Sequence, residues 1–564
     1  MNADDFKWFR VVLFLAVVSI PIVSGTFSSA KLERTMGGTV TQQSEADQWT
    51  RFEAQFTSSV EYENPVQDVR VEAEFTAPSG KKRTVVAFWD GGKVWRVRFS
   101  PDKTGEWTYR TSCSDESNGG LHARTGEFSC GPYTGDNPLY RHGEIRLSKN
   151  RRYLVHADGT PFFWLADTGW NAALLSDDEG WHTYLQDRVN KRFTVIQFVM
   201  TQWRTASGDV DGRPAFTGKD RIRVNPEFFR RMDRKYNALN EYGLVAAPIL
   251  LWAIRGDENP GYYLPEDQKI VLAEYMVARY AAYQVIWVLG GDGEYRGEKA
   301  DTWKRVGRAV FRPDYQRLAT MHPNGRSWVG DEFRHEPWFS FIGYQSGHGD
   351  DDKTFRWLVQ GPPAREWNQE PMLPVINMEP NYEAHNGYTF RKFHNDHSVR
   401  RATYWSLLVS PTAGVTYGGQ GVWGWHTQVQ LPRAHRGTGL GLPWYEAIHL
   451  PGSTHMKRMS DFFCSIEWWR LAPAQEILVN QPGEKRPSLF IAVAKSENGD
   501  LVVAYLPEGG EITLKTESLK RPATARWFHP FTGGWVDAGT VRESPQKFTA
   551  PDRNDWVLCI QAED

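Results

Sequence analysis

The sequence predicts an α/β fold, a (β/α)8 TIM barrel flanked by N-terminal and C-terminal β-sandwich domains. Three observations predict it. Between residues 143 and 455, short apolar runs alternate with amphipathic stretches of helical period, in the strand, helix, strand order that a parallel barrel requires. On either side the pattern changes to period-two alternation broken at short intervals by Gly, Pro and Asp, as antiparallel sandwiches show. The chain is also 564 residues long, and one hydrophobic core stops growing at roughly 250–300 residues, so several domains are expected.

In chain order, residues 1–30 have the three parts of a secretory signal: Lys7 and Arg10, an apolar run over 11–23, then the small residues Ser24, Gly25, Ser28, Ser29 and Ala30. The run, broken by Pro21, is short for a membrane span of about 20 residues, although an uncleaved anchor is the alternative. No Cys follows it, so a lipid anchor has no support. A secreted or periplasmic location follows. Residues 45–135 alternate as in Val69-Arg70-Val71-Glu72-Ala73-Glu74-Phe75 and Val94-Trp95-Arg96-Val97-Arg98-Phe99, and hold no cluster of acids, bases or nucleophiles. This sandwich is read as structural.

After a polar linker at 135–141, eight barrel strands are expected at 162–165, 195–199, 245–251, 285–289, 318–321, 339–343, 373–377 and 414–417, with helices at 178–191, 226–242, 265–282 and 398–409. The fifth strand carries the weakest pattern, being short and close to Pro323. Alternation returns in a third domain at 470–562, with strands expected at 490–494, 501–505, 512–515, 525–528 and 556–560. The four cysteines are too few to build a disulfide framework, but Cys113 with Cys130 could pair across a hairpin, and Cys464 with Cys559 is a second pairing to test.

Composition narrows the function. With a net charge of −2 and basic residues interspersed with acidic ones, the chain offers no stripe for a phosphate backbone, so nucleic acid is excluded as a partner. Aromatic residues reach 14%, with 25 Trp, and indole faces suit the C–H faces of sugars as well as they suit a core. No Gly-x-Ser-x-Gly elbow, His-Glu-x-x-His helix or P-loop occurs, so serine hydrolase, zincin and nucleotide hydrolase readings lack their parts. No cofactor or metal is called for. His394, Asp396, His397 and the acidic run 350–352 are read as solvent-facing or helix-capping groups.

Two segments carry the chemistry. Trp287-Val288-Leu289-Gly290-Gly291-Asp292 and Pro374-Val375-Ile376-Asn377-Met378-Glu379 are apolar strands that run directly into an acid. In a barrel the C-terminal strand ends open onto the active-site face, and strands four and seven face each other across it. Glycoside hydrolysis needs such a pair, one carboxylic acid for the leaving oxygen and one carboxylate as nucleophile or base. Asp292 and Glu379 are therefore the catalytic candidates, with Glu294 a rival for the acid. Further candidates for sugar contacts follow other strands: Asp167 and Trp170 after the first, Trp203 and Arg204 after the second, Gln345 and His348 after the sixth, Tyr382 beyond the seventh, and Trp423 and Trp425 in a Gly-rich loop after the eighth.

The same segments carry a resemblance. Tyr153-Leu154-Val155-His156-Ala157-Asp158-Gly159-Thr160-Pro161-Phe162-Phe163-Trp164-Leu165-Ala166-Asp167-Thr168, Gly290-Gly291-Asp292, Gln345-Ser346-Gly347-His348 and Asn377-Met378-Glu379-Pro380-Asn381-Tyr382-Glu383 resemble the apiosidase-like glycoside hydrolases. The segment before them resembles the DUF5060-like β-sandwich often found ahead of that barrel. The tail, with Arg526-Trp527-Phe528-His529-Pro530, resembles a β-domain that carries a collagen-binding label, although His529 stands where Asp is expected and no collagen binding is inferred. The resemblance implies a retaining enzyme with Asp292 as acid/base and Glu379 as nucleophile, releasing apiose from a branched pectic polysaccharide. The expectation is a monomeric, exo-acting glycosidase with a carbohydrate substrate. The competing expectation is a non-catalytic carbohydrate-binding or envelope protein on a barrel scaffold, since fold does not fix function.

Overall fold

The computed structural model describes residues 43–312 and 317–563, so the expected signal or anchor at 1–30 lies outside the described residues. Among the described residues no helix is long and apolar enough to cross a membrane. Eight parallel strands form the centre: β1 (Trp164–Thr168), β2 (Val195–Val199), β3 (Val245–Leu251), β4 (Trp287–Gly290), β5 (Ala319–Thr320), β6 (Ile342–Tyr344), β7 (Val375–Asn377) and β8 (Gly414–Tyr417). Their spatial order is β5-β4-β3-β2-β1-β8-β7-β6. A parallel bridge from Ala319 to Phe339, just ahead of β6, brings the two edges together, and the barrel is nearly closed.

These runs form strands because they are covered on both sides. Every residue of the sequences VIQFV in β2 and VAAPILL in β3 is buried, as a parallel sheet with helices outside and side chains inside demands. Between the strands lie helices α1 (Asp178–Asn190), α2 (Pro226–Glu241), α3 (Glu266–Tyr280), α4 (Glu298–Val310), α5 (Asp352–Gln360) and α6 (Asp396–Leu408), with α7 (Pro451–Cys464) after β8. Their starts are chemically marked: Asp177, Asn225, Asp351 and Asn395 each accept a backbone N–H of the first turn, and Pro226 opens α2. Inside the barrel, Gln197 of β2 donates to the Met378 carbonyl beyond β7 (2.9 Å) and accepts from Thr416 Oγ1 of β8 (2.9 Å). One amide thereby ties three strands across the core.

Two sheets precede the barrel. Strands 45–47, 125–131, 105–113, 71–76 and 82–86 form one, and 52–57, 94–99 and 88–89 the other. Phe52, Phe75, Phe99, Trp107 and Phe128 fill the space between them. The inner sheet is fastened to the barrel helices by charge as well as by Phe88, which packs within the barrel core beside Tyr275. Asp233 of α2 accepts from Arg98 (2.8 Å) and from Arg279 of α3 (2.7 Å), and Arg279 also meets Asp90 (3.0 Å). After the barrel, six strands in the order 472–473, 492–495, 501–506, 556–562, 523–528 and 535–540 form a sheet that packs on α6 and α7, with the pair 511–514 and 546–549 behind it. Arg400 of α6 pairs with buried Asp555 (2.8 Å), and Tyr404 stacks on Tyr505 at 4.7 Å.

Four expectations are corrected. The first barrel strand starts at Trp164, because Pro161–Phe162 pairs antiparallel with Leu154–His156 in a small sheet of its own. The cysteines are free thiols. Cys130 pairs in register with Gly105, whereas Cys113 closes the far end of the same nine-residue strand. At about 3.3 Å per residue they lie on the order of 25 Å apart, well beyond the roughly 7 Å limit for a bridge. Cys559 is buried opposite Val503 in the tail sheet, and Cys464 is exposed at the end of α7, within 3.9 Å of Ser460. His394 does not face solvent but is buried, its Nε2 3.2 Å from the His348 carbonyl. The tail also contains strands at 535–540 and 546–549 that alternation did not reveal, because their residues are mostly exposed on both faces.

Burial raises the Asp233 carboxyl, but the Arg98 and Arg279 guanidiniums outweigh it and hold the group far below the usual carboxylate range. A depressed folded pKa contributes stability that is complete above the unfolded value and is lost as pH falls below about 4. Asp233→Asn removes the carboxylate shared by the Arg98 and Arg279 guanidiniums, which keep Glu53 (2.6 Å) and Asp90 (3.0 Å), and is expected to cost about 2–3 kcal/mol in denaturant unfolding. A change within about 0.5 kcal/mol would show that the network is not what joins the two parts.

Candidate active site

Asp292 stands two residues past β4, beyond Gly290 and Gly291. The second glycine is a steric requirement, since a Cβ there would come within 2.4 Å of the Trp252 ring. Glu379 stands two residues past β7. Asn377, the last residue of β7, donates to Ser346 and Ser406 (2.9 Å each) and its oxygen faces the Glu379 N–H at 3.3 Å, so the turn carrying Glu379 is held from beneath.

The two acids meet in the barrel mouth, joined by a residue the sequence reading missed. His322 Nε2 lies 3.2 Å from one Glu379 oxygen, and its Nδ1 lies 3.7 Å from an Asp292 oxygen. One oxygen of each carboxylate and one His322 nitrogen are within 4.8 Å of one another. His348 Nε2 approaches the second Glu379 oxygen at 2.9 Å, while its Nδ1 receives the Tyr382 N–H at 3.3 Å, which assigns the ring proton to Nε2 as the donor to Glu379. Gln345 donates to Asp292 at 2.5 Å and to the Pro323 carbonyl at 2.7 Å. Arg204 Nη2 stands 3.9 Å from the other Asp292 oxygen.

Environment drives the two carboxyls apart. Burial, then the neighbouring Glu379 charge, pushes Asp292 up to about 6, against the opposing pull of His322, Arg204 and Gln345. Burial also opposes ionisation of Glu379, but the His322 and His348 imidazoles at its two oxygens outweigh it and hold that carboxyl well below its ordinary value. His322, disfavoured as a cation by its own burial, is nevertheless raised because Glu379 and Asp292 both face it. One acid is thus kept charged and the other ready to carry a proton near pH 6, the separation that acid and nucleophile roles require. The same three groups could also surround a divalent cation, through two carboxylate oxygens and one imidazole nitrogen.

Aromatic groups wall the centre. Trp170 lies 5.3 Å from the His322 ring and donates to Tyr382 Oη at 3.1 Å. Trp252, after β3, packs against both Trp170 (5.4 Å) and Trp203 (4.5 Å). Tyr388 adds a further face beside His348 (5.4 Å) and donates toward His435 at 3.0 Å. Gln345, His348, Arg204, Tyr382, Trp170 and Trp203 are therefore gathered around the two acids.

Three expected residues lie elsewhere. Asp167 is fully buried and turned to the helix layer, accepting from Tyr184 (2.6 Å) and paired with Arg188 (2.8 Å). Glu294 is exposed and paired with Lys299, leaving Asp292 as the acid in the mouth. Trp425, expected in a substrate wall, is buried in a stack on Trp444 at 4.3 Å beside Tyr184 of α1. Trp423 is buried with its N–H on Gln420 (2.7 Å) and its ring 6.1 Å from that of His435, behind the Tyr388 side of the mouth. Glu383, the second acid of the Glu-Pro-Asn-Tyr-Glu segment, caps α7 through the Gly452 N–H (2.9 Å) and accepts from Tyr417 (2.6 Å). His322, Trp252, Tyr388 and His435 escaped the sequence reading. The available signal for His322 was a His-Pro pair directly after β5, the strand with the weakest pattern.

Residues 148–470 match the family model described as apiosidase-like, catalytic domain. The chain belongs to the apiosidase-like family. Within this apiosidase-like chain, residues 45–114 match a domain of unknown function, DUF5060, and 472–561 match a domain type labelled collagen-binding in a collagenase. No curated protein matches. Among solved structures, one named only as a glycoside hydrolase is 24% identical with a TM-score of 0.66, covering 76% of this chain and 100% of its own. A glycoside hydrolase family 5 structure from Bacteroides vulgatus ATCC 8482 is 21% identical with the same TM-score of 0.66, covering 76% of this chain and 95% of its own. At these identities the likeness is one of fold. Family and fold together support a glycosidase acting on carbohydrate.

Removing the Glu379 charge takes away one of the two causes that raise Asp292. In Glu379→Gln, carboxyl-detected NMR is expected to show Asp292 titrating below about 6 yet above the ordinary Asp value of about 3.9, because burial remains. An unshifted titration would mean the two acids do not sense each other.

Proposed function

We propose that this protein is a retaining, exo-acting glycoside hydrolase that removes a sugar from a polysaccharide side chain, with Glu379 as nucleophile and Asp292 as general acid/base. On this reading the barrel at 143–455 is a (β/α)8 TIM barrel, and 45–135 and 470–562 are β-sandwich domains beside it. A secreted or periplasmic enzyme with an apiose-bearing pectic substrate fits the family.

One observation carries the reading: two carboxyls just past β4 and β7, Glu379 buried and Asp292 18% exposed, with oxygens within 4.8 Å and opposite protonation preferences. Retaining glycosidases hold their carboxyls about 5–5.5 Å apart, whereas inverting ones need about 6.5–9.5 Å to admit a water. The short separation favours direct attack. Glu379, kept ionised by His322 and His348, attacks the anomeric carbon as the protonated Asp292 gives its proton to the leaving oxygen. Asp292 then takes a proton from water, which displaces the sugar from Glu379. His322, between the two, acts as a positioning residue that also steadies the negative charge shared by the pair. Trp170, Trp203, Trp252 and Tyr388 offer apolar ring faces and Arg204 a charged donor to the sugar.

Sugar release from apiose-bearing pectic oligosaccharide and a panel of other plant glycans tests the proposal. The wild-type chain is expected to release one sugar, and Glu379→Gln and Asp292→Asn to lose at least about a thousandfold in kcat/KM. Release unchanged in Glu379→Gln would remove the nucleophile assignment. Binding without release from any glycan would favour the carbohydrate-binding alternative, and release that depends on added divalent cation would reassign Asp292, His322 and Glu379 to a metal.

The pH profile carries the sign. Because Asp292 must be protonated for the first step, kcat/KM governed by that step is expected to fall as pH rises through about 6. Arg204 favours ionised Asp292, so Arg204→Gln should move this basic limb to higher pH. A limb that stays in place, or moves down, would separate Asp292 from the acid role.

A further inference from the structure

On the opposite side of the barrel lies a second groove, of about 910 Å³, that the catalytic reading does not use. Its barrel-side lining comes from segments that lead into strands: Arg152 and Tyr153 ahead of β1, Trp367 ahead of β7, and Leu471, whose carbonyl accepts from Thr412 just ahead of β8 (3.2 Å). The other wall is the start of the tail sheet and its first turn, with Lys495, Glu497 and Asn498. The groove therefore runs along the junction of barrel and tail, at the strand N-termini, whereas Asp292 and Glu379 follow strand C-termini.

Its chemistry is that of a sugar-binding surface. Tyr153, Trp367 and Trp469 are half-buried, with the Arg152 guanidinium 5.9 Å over the Trp367 ring. Large rings left partly open along one groove supply faces for sugar C–H groups, and the polar groups between them supply hydrogen bonds to hydroxyls. The charges cancel. Arg470 is already paired with Glu467 and Asp500, and Arg152 and Lys495 are matched in number by Glu476 and Glu497 of the same lining. A balanced lining gives no preference for an anionic chain over a neutral one, and the rings then dominate. A volume of about 910 Å³ lies at the upper end of the roughly 300–1,000 Å³ range of ligand sites, enough for several linked sugars.

We infer that this groove is a second, non-catalytic binding site for an uncharged polysaccharide chain, which anchors the enzyme to neutral glycan lying beside the polymer that the barrel mouth trims. The identity of the ligand as carbohydrate rests on the proposed glycosidase function, but binding in the groove does not pass through Glu379.

Affinity electrophoresis in gels containing soluble neutral arabinan, galactan, xyloglucan or arabinoxylan, with polygalacturonate as the anionic control, tests this. The wild-type chain and Glu379→Gln are expected to be retarded alike by at least one neutral polymer. Trp367→Ala and Trp469→Ala should each bind about tenfold more weakly, and the double variant should run as in a polymer-free gel. Thermal unfolding identifies any variant that fails to fold, in which case Glu497→Trp, an exposed rim position, replaces it and must change the retardation. Release from a short soluble substrate should be unaltered in the folded tryptophan variants. Equal retardation of wild type and variants, binding only to polygalacturonate, or no retardation in any gel would overturn the inference. A protein that binds but does not hydrolyse would count against the glycosidase reading and leave the groove standing.

Discussion

Two carboxyls with oxygens within 4.8 Å of one another, Glu379 buried and Asp292 mostly so, cannot both ionise cheaply. That constraint organises the rest of the molecule. The surroundings settle which acid keeps the charge: Glu379 accepts from the His348 imidazole at 2.9 Å and has the His322 ring 3.2 Å from its other oxygen, whereas Asp292 receives one short amide contact and lies 3.7 Å from His322 and 3.9 Å from Arg204. The difference lies in these contacts rather than in burial, which raises both groups. It also explains why His322 and His348 come from two different strand ends. Imidazoles at both Glu379 oxygens need two directions of approach, which neighbouring strand ends of the barrel supply.

The scaffold exists to keep that ring from relaxing. Gln197 joins β2 to β8 and to the turn that carries Glu379, and Asn377 holds the same turn from the Ser346 and Ser406 side. Glycine at 291 lets Trp252 press against the turn that carries Asp292. Buried polar groups of this kind add little net stability but fix one arrangement when every member is satisfied. The flanking sheets are fastened to the outer helices by Arg98, Arg279 and Arg400 on buried aspartates, far from the mouth. Load is thus carried at the helix layer, leaving the strand ends free to be shaped for chemistry.

Much of this was legible in the sequence. Strands β2, β3 and β8 fell on the expected residues because continuous apolar runs flanked by turn residues admit no other reading. Helices α1, α2, α3 and α6 were visible through helical period, with caps such as Asp177 and Asn225 or Pro226 marking the starts of the first two. Asp292 and Glu379 stood out because each ends such a run. What the sequence withheld was direction. Asp292 follows β4 but Asp167 falls within β1, and one side chain turns to the mouth while the other turns to the helix layer, where Arg188, distant in sequence, pairs with it. His322 was hidden for a different reason. Its strand contributes two residues to the barrel, too few to leave a period. Trp425 misled because an indole in a Gly-rich loop reads the same whether the loop lies open or folds back on α1.

If Glu379 attacks the sugar directly, the anomeric centre is inverted twice. Proton NMR of the first-formed product, recorded before mutarotation on whichever glycan is hydrolysed, reads this outcome. A first product with the configuration of the cleaved bond is the predicted result. A first product of opposite configuration would mean that water, not Glu379, reaches the anomeric carbon, and would contradict the assignment of the pair.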